Sequence, residues 1–170
     1  MLDTEKQYEG AYLIDTNVFR PLYNFIYDDV FPEIWDGISI LIEQNKFVSV
    51  AEVKKEYDYQ LSHRSAAVAF SKENSHLFLK PGPEDAYMLR EIYKIPEFQL
   101  KPKEIKNKKS HADAFLVAKA KVLNGCVVTD ESPRSKEPAK IPNICMHFGV
   151  NCMTMHEFMR ILKETAEANK

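Results

Sequence analysis

No apolar run in this sequence is long enough to cross a bilayer, so no membrane-spanning helix is expected. A leader's order of basic then apolar residues is also missing. Met1-Leu2-Asp3-Thr4-Glu5-Lys6 places acids where an export signal would be basic, and we expect a cytoplasmic protein. Cysteine is scarce and odd in number: Cys126, Cys145 and Cys152 are the three, which disfavours a disulfide framework. There is no C-x-x-C turn. Cys145, His147, Cys152 and His156 fall within twelve residues, but their spacing fits no standard zinc finger, and small buried thiols and surface histidines explain them better. An excess of one charge sign is absent as well. With 23 basic and 25 acidic residues the net charge is −2, which excludes a basic coat that binds nucleic acid by overall charge. A metal held by carboxylates would still reverse the sign locally. The chain has no internal repeat, no low-complexity tract, and no serine–histidine or cysteine–histidine nucleophile pair at a strand end.

What is present is ordinary globular material. A hydrophobic content of 45% in 170 residues supports one domain spanning 1–170, with a core that needs no cross-links. Short apolar runs at Ala11–Ile14, Phe47–Val50 and Gly125–Thr129 predict strands, and weaker runs at Leu77–Leu79 and Asn143–Met146 predict two more. Helical periodicity separates them. Ile34, Trp35, Ile38, Leu41 and Ile42 form one face after Pro32. Further helices are expected over Glu52–Leu61, from Ala66, over Glu84–Tyr93 after Pro83, over Ala112–Leu123, and over Met155–Ala166. Alternating strands and helices predict an α/β fold: a three-layer α/β/α sandwich around a mostly parallel sheet of about five strands.

In such a sheet, ligands sit beyond the carboxyl ends of the strands. Acids recur at those positions. The first strand, in "AYLIDTNVF", ends in Asp15; the second runs into a helix bearing Glu52 and Glu56; Asp113 opens the helix at Ala112; the strand ending at Thr129 continues as Asp130-Glu131. One acid at a helix start is a cap, but several gathered at one edge repel unless a cation lies among them. Hard oxygen donors with few histidines suit Mg2+ or Mn2+, and the chemistry such a layout supports is metal-dependent phosphodiester hydrolysis. Val53 and Tyr57 should face the core, which puts Glu52 and Glu56 on the adjoining stripe. Asp28, Asp29 and Asp85 look like surface acids, and Tyr57, Tyr59 and Phe115 like core or interface residues.

"YLIDTNVF", "VSVAEVKKEY", "SHADAFLVAKAK" and "VVTDES", in this order, resemble the PIN domain, a nuclease fold found in many toxins of toxin–antitoxin pairs. The likeness runs from about Tyr12 to Leu162. "VSVAEVKKE" and the ending "KIPNIC…FGVNCMTMHEF" further resemble a PIN subfamily known as a domain of unknown function, DUF4411. The resemblance implies that Asp15, Glu56 and Asp113 are catalytic metal ligands supported by Thr16, Asn17 and Thr129. It leaves the fourth acid open between Asp130 and Glu131. It implies a Mg2+- or Mn2+-dependent endoribonuclease, the toxin of a type II pair, with RNA as substrate, a small antitoxin as partner and a homodimer as assembly. A catalytically silent binding module of the same fold is the alternative.

Basic residues flank the acids. Lys108 and Lys109 precede the helix that carries Asp113, and Arg134, Lys136 and Lys140 follow Glu131. Either they are solvated loops, or they form two lips that contact substrate phosphates. A phosphatase-like reading of Asp15 as nucleophile wants a second acid two residues on, where Asn17 stands.

Overall fold

The computed structural model describes residues 6–99, 112–133 and 140–170. Five strands form one sheet: β1 (Tyr12–Ile14), β2 (Phe47–Val50), β3 (Phe78–Leu79), β4 (Cys126–Val128) and β5 (Asn151–Met153). They lie in the order β3-β2-β1-β4-β5, and every pairing is parallel. The helices are α1 (Thr16–Asn24), α2 (Pro32–Glu43), α3 (Ala51–Gln60), α4 (Ser65–Glu73), α5 (Pro83–Lys94), α6 (Ala112–Val122), α7 (Ile141–Phe148) and α8 (Met155–Ala168). The α/β sandwich expected from the alternation is therefore present.

Parallel strands need helical crossovers, and these cover both faces of the sheet. On one face α2 packs along α8, with Phe158 of α8 against the rings of Tyr12 and Phe47. Gly37 makes that crossing possible, because a Cβ there would run into the Leu162 carbonyl of α8. On the other face α6 is the central helix, packed against α3, α5, α7 and the three inner strands β2, β1 and β4. Its Ala112, Ala114, Leu116, Val117, Ala118 and Ala120 are buried, since small residues let neighbouring helices approach closely. The strands are correspondingly apolar on both sides: Leu13, Ile14, Val48, Val127 and Val128 have no exposure.

Three expectations are corrected. Asn143–Met146 is helical, inside α7, and the fifth strand lies later, at Asn151–Met153. Pro142 at the start of the helix and the left-handed Gly149 (φ +61°) at its end delimit a helix, with Ile141, Ile144 and Cys145 turned inward at three- and four-residue spacing. β5 is an exposed edge strand, so it carries no apolar run to be recognised. Asp85 is no surface acid. It is buried at 2% exposure, accepts the Gly82 amide at 2.6 Å, and pairs with Lys119 of α6 at 2.5 Å, pinning α5 to α6. Tyr59 is 84% exposed and belongs to no core, whereas Tyr57 is fully buried with its hydroxyl donating to the Ala67 carbonyl at 2.9 Å. Asp28 and Asp29 are exposed, as read. Among the described residues no helix is long and apolar enough to cross a membrane.

Candidate functional site

The strand order places a topological switch between β1 and β4. From β1 the chain moves outward to β2 and β3, then returns to build β4 and β5 on the other side. Crossovers on either side of that point leave in opposite directions and open a crevice at the carboxyl ends of β1 and β4. Asp15 follows β1 directly, and Thr129-Asp130-Glu131 follows β4.

The Asp15 amide still donates to the Val128 carbonyl at 3.1 Å, so the residue is held by the sheet while its side chain caps α1. Oδ1 accepts the Thr16 amide at 2.6 Å, and Oδ2 accepts the Thr129 hydroxyl at 2.8 Å. Asp15 is 6% exposed, and its carboxyl is pushed up from 3.8 to about 7. Loss of hydration is the main cause, followed by the negative field of Asp113; the Thr129 hydroxyl works against this, and Glu131 adds a further upward push. A cap alone would lower the value, because its hydrogen bonds favour the charged form. Burial first and the neighbouring acids second outweigh those bonds, so Asp15 is held where its charge is costly, which an exposed cap would not be.

The next two residues tie the crevice together. Thr16 donates its hydroxyl to Glu56 Oε2 at 2.9 Å, fixing α3 to the start of α1. Asn17 donates from Nδ2 to Thr129 Oγ1 at 3.1 Å and accepts the Asp130 amide on Oδ1 at 3.0 Å. Thr129, 1% exposed, is the hub: its oxygen also accepts the Glu131 amide at 3.1 Å. Ser49 of β2 donates to the Ile14 carbonyl at 2.6 Å and steadies the strand end from the other side. Nothing in the pattern of the sequence singled out Ser49.

The two acids after β4 diverge. Asp130 Oδ1 accepts the Met155 amide at 3.1 Å, at the first turn of α8. Glu131 Oε2 accepts the Ile141 amide at 3.0 Å, at the start of α7, while Oε1 receives Lys140 at 2.6 Å. Of the pair, Glu131 is the one whose charge raises Asp15. Asp113, half-buried in the first turn of α6, acts on Asp15 and also raises the Tyr93 hydroxyl, although burial is the larger cause there. Tyr93 is a neighbour of the site that no motif indicated. Glu52, one turn before Glu56, has Oε2 buried and without a hydrogen-bond partner. Lys108, Lys109 and Arg134 lie outside the described residues, as do Lys136 and the rest of the lysine-rich stretch.

Among the described residues, no three His, Cys, Asp or Glu side chains converge tightly enough to grip a metal ion as they stand. The donor chemistry nonetheless fits a hard divalent cation. Beyond burial, Asp113 and Glu131 raise the cost of ionising Asp15, Lys140 already supplies a positive charge to Glu131, and Glu52 has an unpartnered carboxylate oxygen. The soft-ligand alternative is not assembled in the same way: His147 packs edge-on against Phe98 at 5.3 Å between ring centroids.

Fold and site together define a parallel α/β protein with a buried acid, Asp15, at its switch point and further acids around it. Residues 12–166 match the family described as Domain of unknown function (DUF4411), and the chain belongs to that family. Among curated proteins, none matches the chain.

Proposed function

We propose that the protein is a PIN-like, Mg2+- or Mn2+-dependent endoribonuclease acting as the toxin of a type II toxin–antitoxin pair. The observation that carries this reading is the buried Asp15 at the switch point, its carboxyl raised by loss of hydration and then by Asp113 and Glu131, while Thr129 and the Thr16 amide hold it in place. Asp15, Glu56, Asp113 and Glu131 would hold the cation. When bound, it would polarise a phosphodiester and lower the pKa of an attacking water. The chain's own contribution is positioning. Thr16 orients Glu56, and Thr129 orients Asp15 through a hydroxyl that is itself locked by Asn17 and the Glu131 amide. We assign the fourth carboxylate to Glu131, since Asp130 is turned to the start of α8. RNA is the substrate we assign to it, a small antitoxin its partner, and a homodimer its assembly.

A second reading, a silent module of the same fold, is favoured by one contact: Lys140 on Glu131 supplies internally the charge that a cation would bring. Calorimetric titration with Mn2+ separates the two, alongside cleavage of a labelled RNA. The nuclease reading expects carboxylate-dependent Mn2+ binding and cleavage in the wild type, with both lost in Asp113→Asn while its circular dichroism is unchanged. Full cleavage by that variant, or no Mn2+ binding by the wild type, sinks the assignment. Growth arrest on expression, with Asp15→Asn as control, tests the toxin role.

A further inference from the structure

Two consecutive residues take both carboxylate oxygens of Glu131. Oε1 receives the Lys140 ammonium at 2.6 Å, and Oε2 accepts the Ile141 amide at 3.0 Å. Lys140 precedes α7 and gives that helix no side-chain cap, so Glu131 caps it from upstream. The backbone of Glu131 is fixed as well. Its amide donates to Thr129 Oγ1 at 3.1 Å, and the same hydroxyl donates to Asp15 Oδ2 at 2.8 Å. A single threonine thus stands between the ion pair and the buried acid. Asp15, Glu56 and Asp130, by contrast, have neutral partners: Thr16 and Thr129, Thr16, and the Met155 amide respectively.

We propose that Lys140 is an intrachain competitor for the cation site, its ammonium holding Glu131 until a divalent cation displaces it. On the nuclease reading Glu131 is a ligand, and the competition rests on that reading and governs how the site fills. Without metal, the ammonium neutralises one of the gathered acids and so relieves their mutual repulsion. The same bond blocks ligation. With one oxygen on an ammonium and the other on a helix amide, Glu131 has to release Lys140 before it can hold a second cation, because two cations on one carboxylate repel. The exchange is open to water: the Lys140 and Glu131 side chains are 33% and 17% exposed, so a departing ammonium is rehydrated at once. The Asp85–Lys119 pair, at 2% on both sides, has no such exit.

Linkage makes the competition reciprocal. Removing the ammonium must tighten cation binding, and cation binding must free the ammonium. A lysine acting only through its long-range field would weaken cation binding whether or not Glu131 were present. One that merely pinned the start of α7 would neither weaken cation binding nor be released by it. The ion pair therefore sets the cation concentration at which the site fills.

The test uses the full chain and Mn2+ alone, titrated by calorimetry at low salt. Lys140→Gln should bind Mn2+ about fivefold more tightly than the wild type. Lys163→Gln, which removes an exposed charge on α8, should bind as the wild type does. In a Glu131→Gln background, adding Lys140→Gln should bring no gain. Acetylation by a succinimidyl ester, read by peptide mass spectrometry, should be faster at Lys140 when Mn2+ is present and unchanged at Lys163. Circular dichroism checks each variant, and Lys140→Met serves if the glutamine variant does not fold. Wild-type Mn2+ binding that Lys140→Gln leaves unchanged or weakens, an equal gain with and without Glu131, or slower acetylation of Lys140 in Mn2+ would each overturn the competition and leave the nuclease reading standing. Absence of binding in both the wild type and Lys140→Gln overturns both. Binding by Lys140→Gln alone supports the competition and sinks the nuclease reading.

Discussion

Replacing Asp15 by asparagine should stabilise the metal-free protein at pH 8. The folded carboxyl titrates near 7 rather than 3.8, so the folded state binds the proton more tightly than the unfolded chain. This group's contribution to stability is thus fully present at low pH and is lost between about pH 4 and pH 7, where the unfolded chain's carboxyl ionises while the folded one, desolvated beside Asp113 and Glu131, keeps its proton. A difference of about three in pKa corresponds to about 4 kcal/mol above pH 7. Asparagine carries no charge and avoids that loss. It cannot reproduce both bonds, because its carbonyl can take the Thr16 amide but its amino group then faces Thr129, whose oxygen already accepts from Asn17 and Glu131. That costs about 1 kcal/mol. The net gain is about 3 kcal/mol at pH 8, or about 6–12 °C in melting temperature for a chain of this size. At pH 5 it should fall to within about 1 kcal/mol of nothing, since the unpaid ionisation there is smaller. Thermal melts by circular dichroism in chelator, from pH 5 to pH 8, read the effect. Adding Mn2+ should then raise the wild type and leave Asp15→Asn unmoved. If the variant melts at or below the wild type at pH 8 in chelator, Asp15 is a structural cap and the electrostatic reasoning fails.

Other outcomes are equally concrete. Thr129→Val removes a donor to Asp15 and an acceptor for Asn17 and the Glu131 amide, and should cost about 2–4 kcal/mol by urea melts. Because the lost hydroxyl favours the ionised carboxyl, the pH at which stability declines should also move upward; a downward move would contradict the bond's assigned direction. Gly37→Ala forces a methyl into the Leu162 carbonyl and should lower stability by about 1–3 kcal/mol, with Mn2+ binding preserved because the clash lies on the α2–α8 face. Asp85→Ala takes the carboxylate from a buried ammonium and should cost about 3–5 kcal/mol, whereas the double variant with Lys119→Met should recover most of it. Equal losses in the single and double variants would show that the pair is not coupled.

Periodicity and punctuation carry most of this fold. β1, β2 and β4 are buried on both sides and therefore appear as continuous apolar runs, α6 is apolar nearly all round because it is the central helix, and α2, α5 and α8 show their inward faces at three- and four-residue spacing. β5 and α7 were not legible in that way. An exposed edge strand has no apolar signature, and Ile144-Cys145-Met146 is as good a strand as a helix until Pro142 and Gly149 are weighed. Asp85 was equally illegible: an acid in the first turn of a helix usually faces water, and only the approach of α6 brings Lys119 onto it.

The candidate site divides along the same line. The chain alone lays acids at strand exits and helix starts, because local chemistry puts Asp15 after β1 and Asp113 in the first turn of α6. It cannot say which of them share a field. That depends on the strand order, which sets β4 beside β1 although more than a hundred residues separate them. The same packing turns Asp130 to α8 and Glu131 to α7, so two adjacent acids of similar chemistry face different helices. Burial of Asp15 among Asp113 and Glu131 is likewise a long-range property, since removing water and bringing like charges together needs the sheet and both helix layers in place.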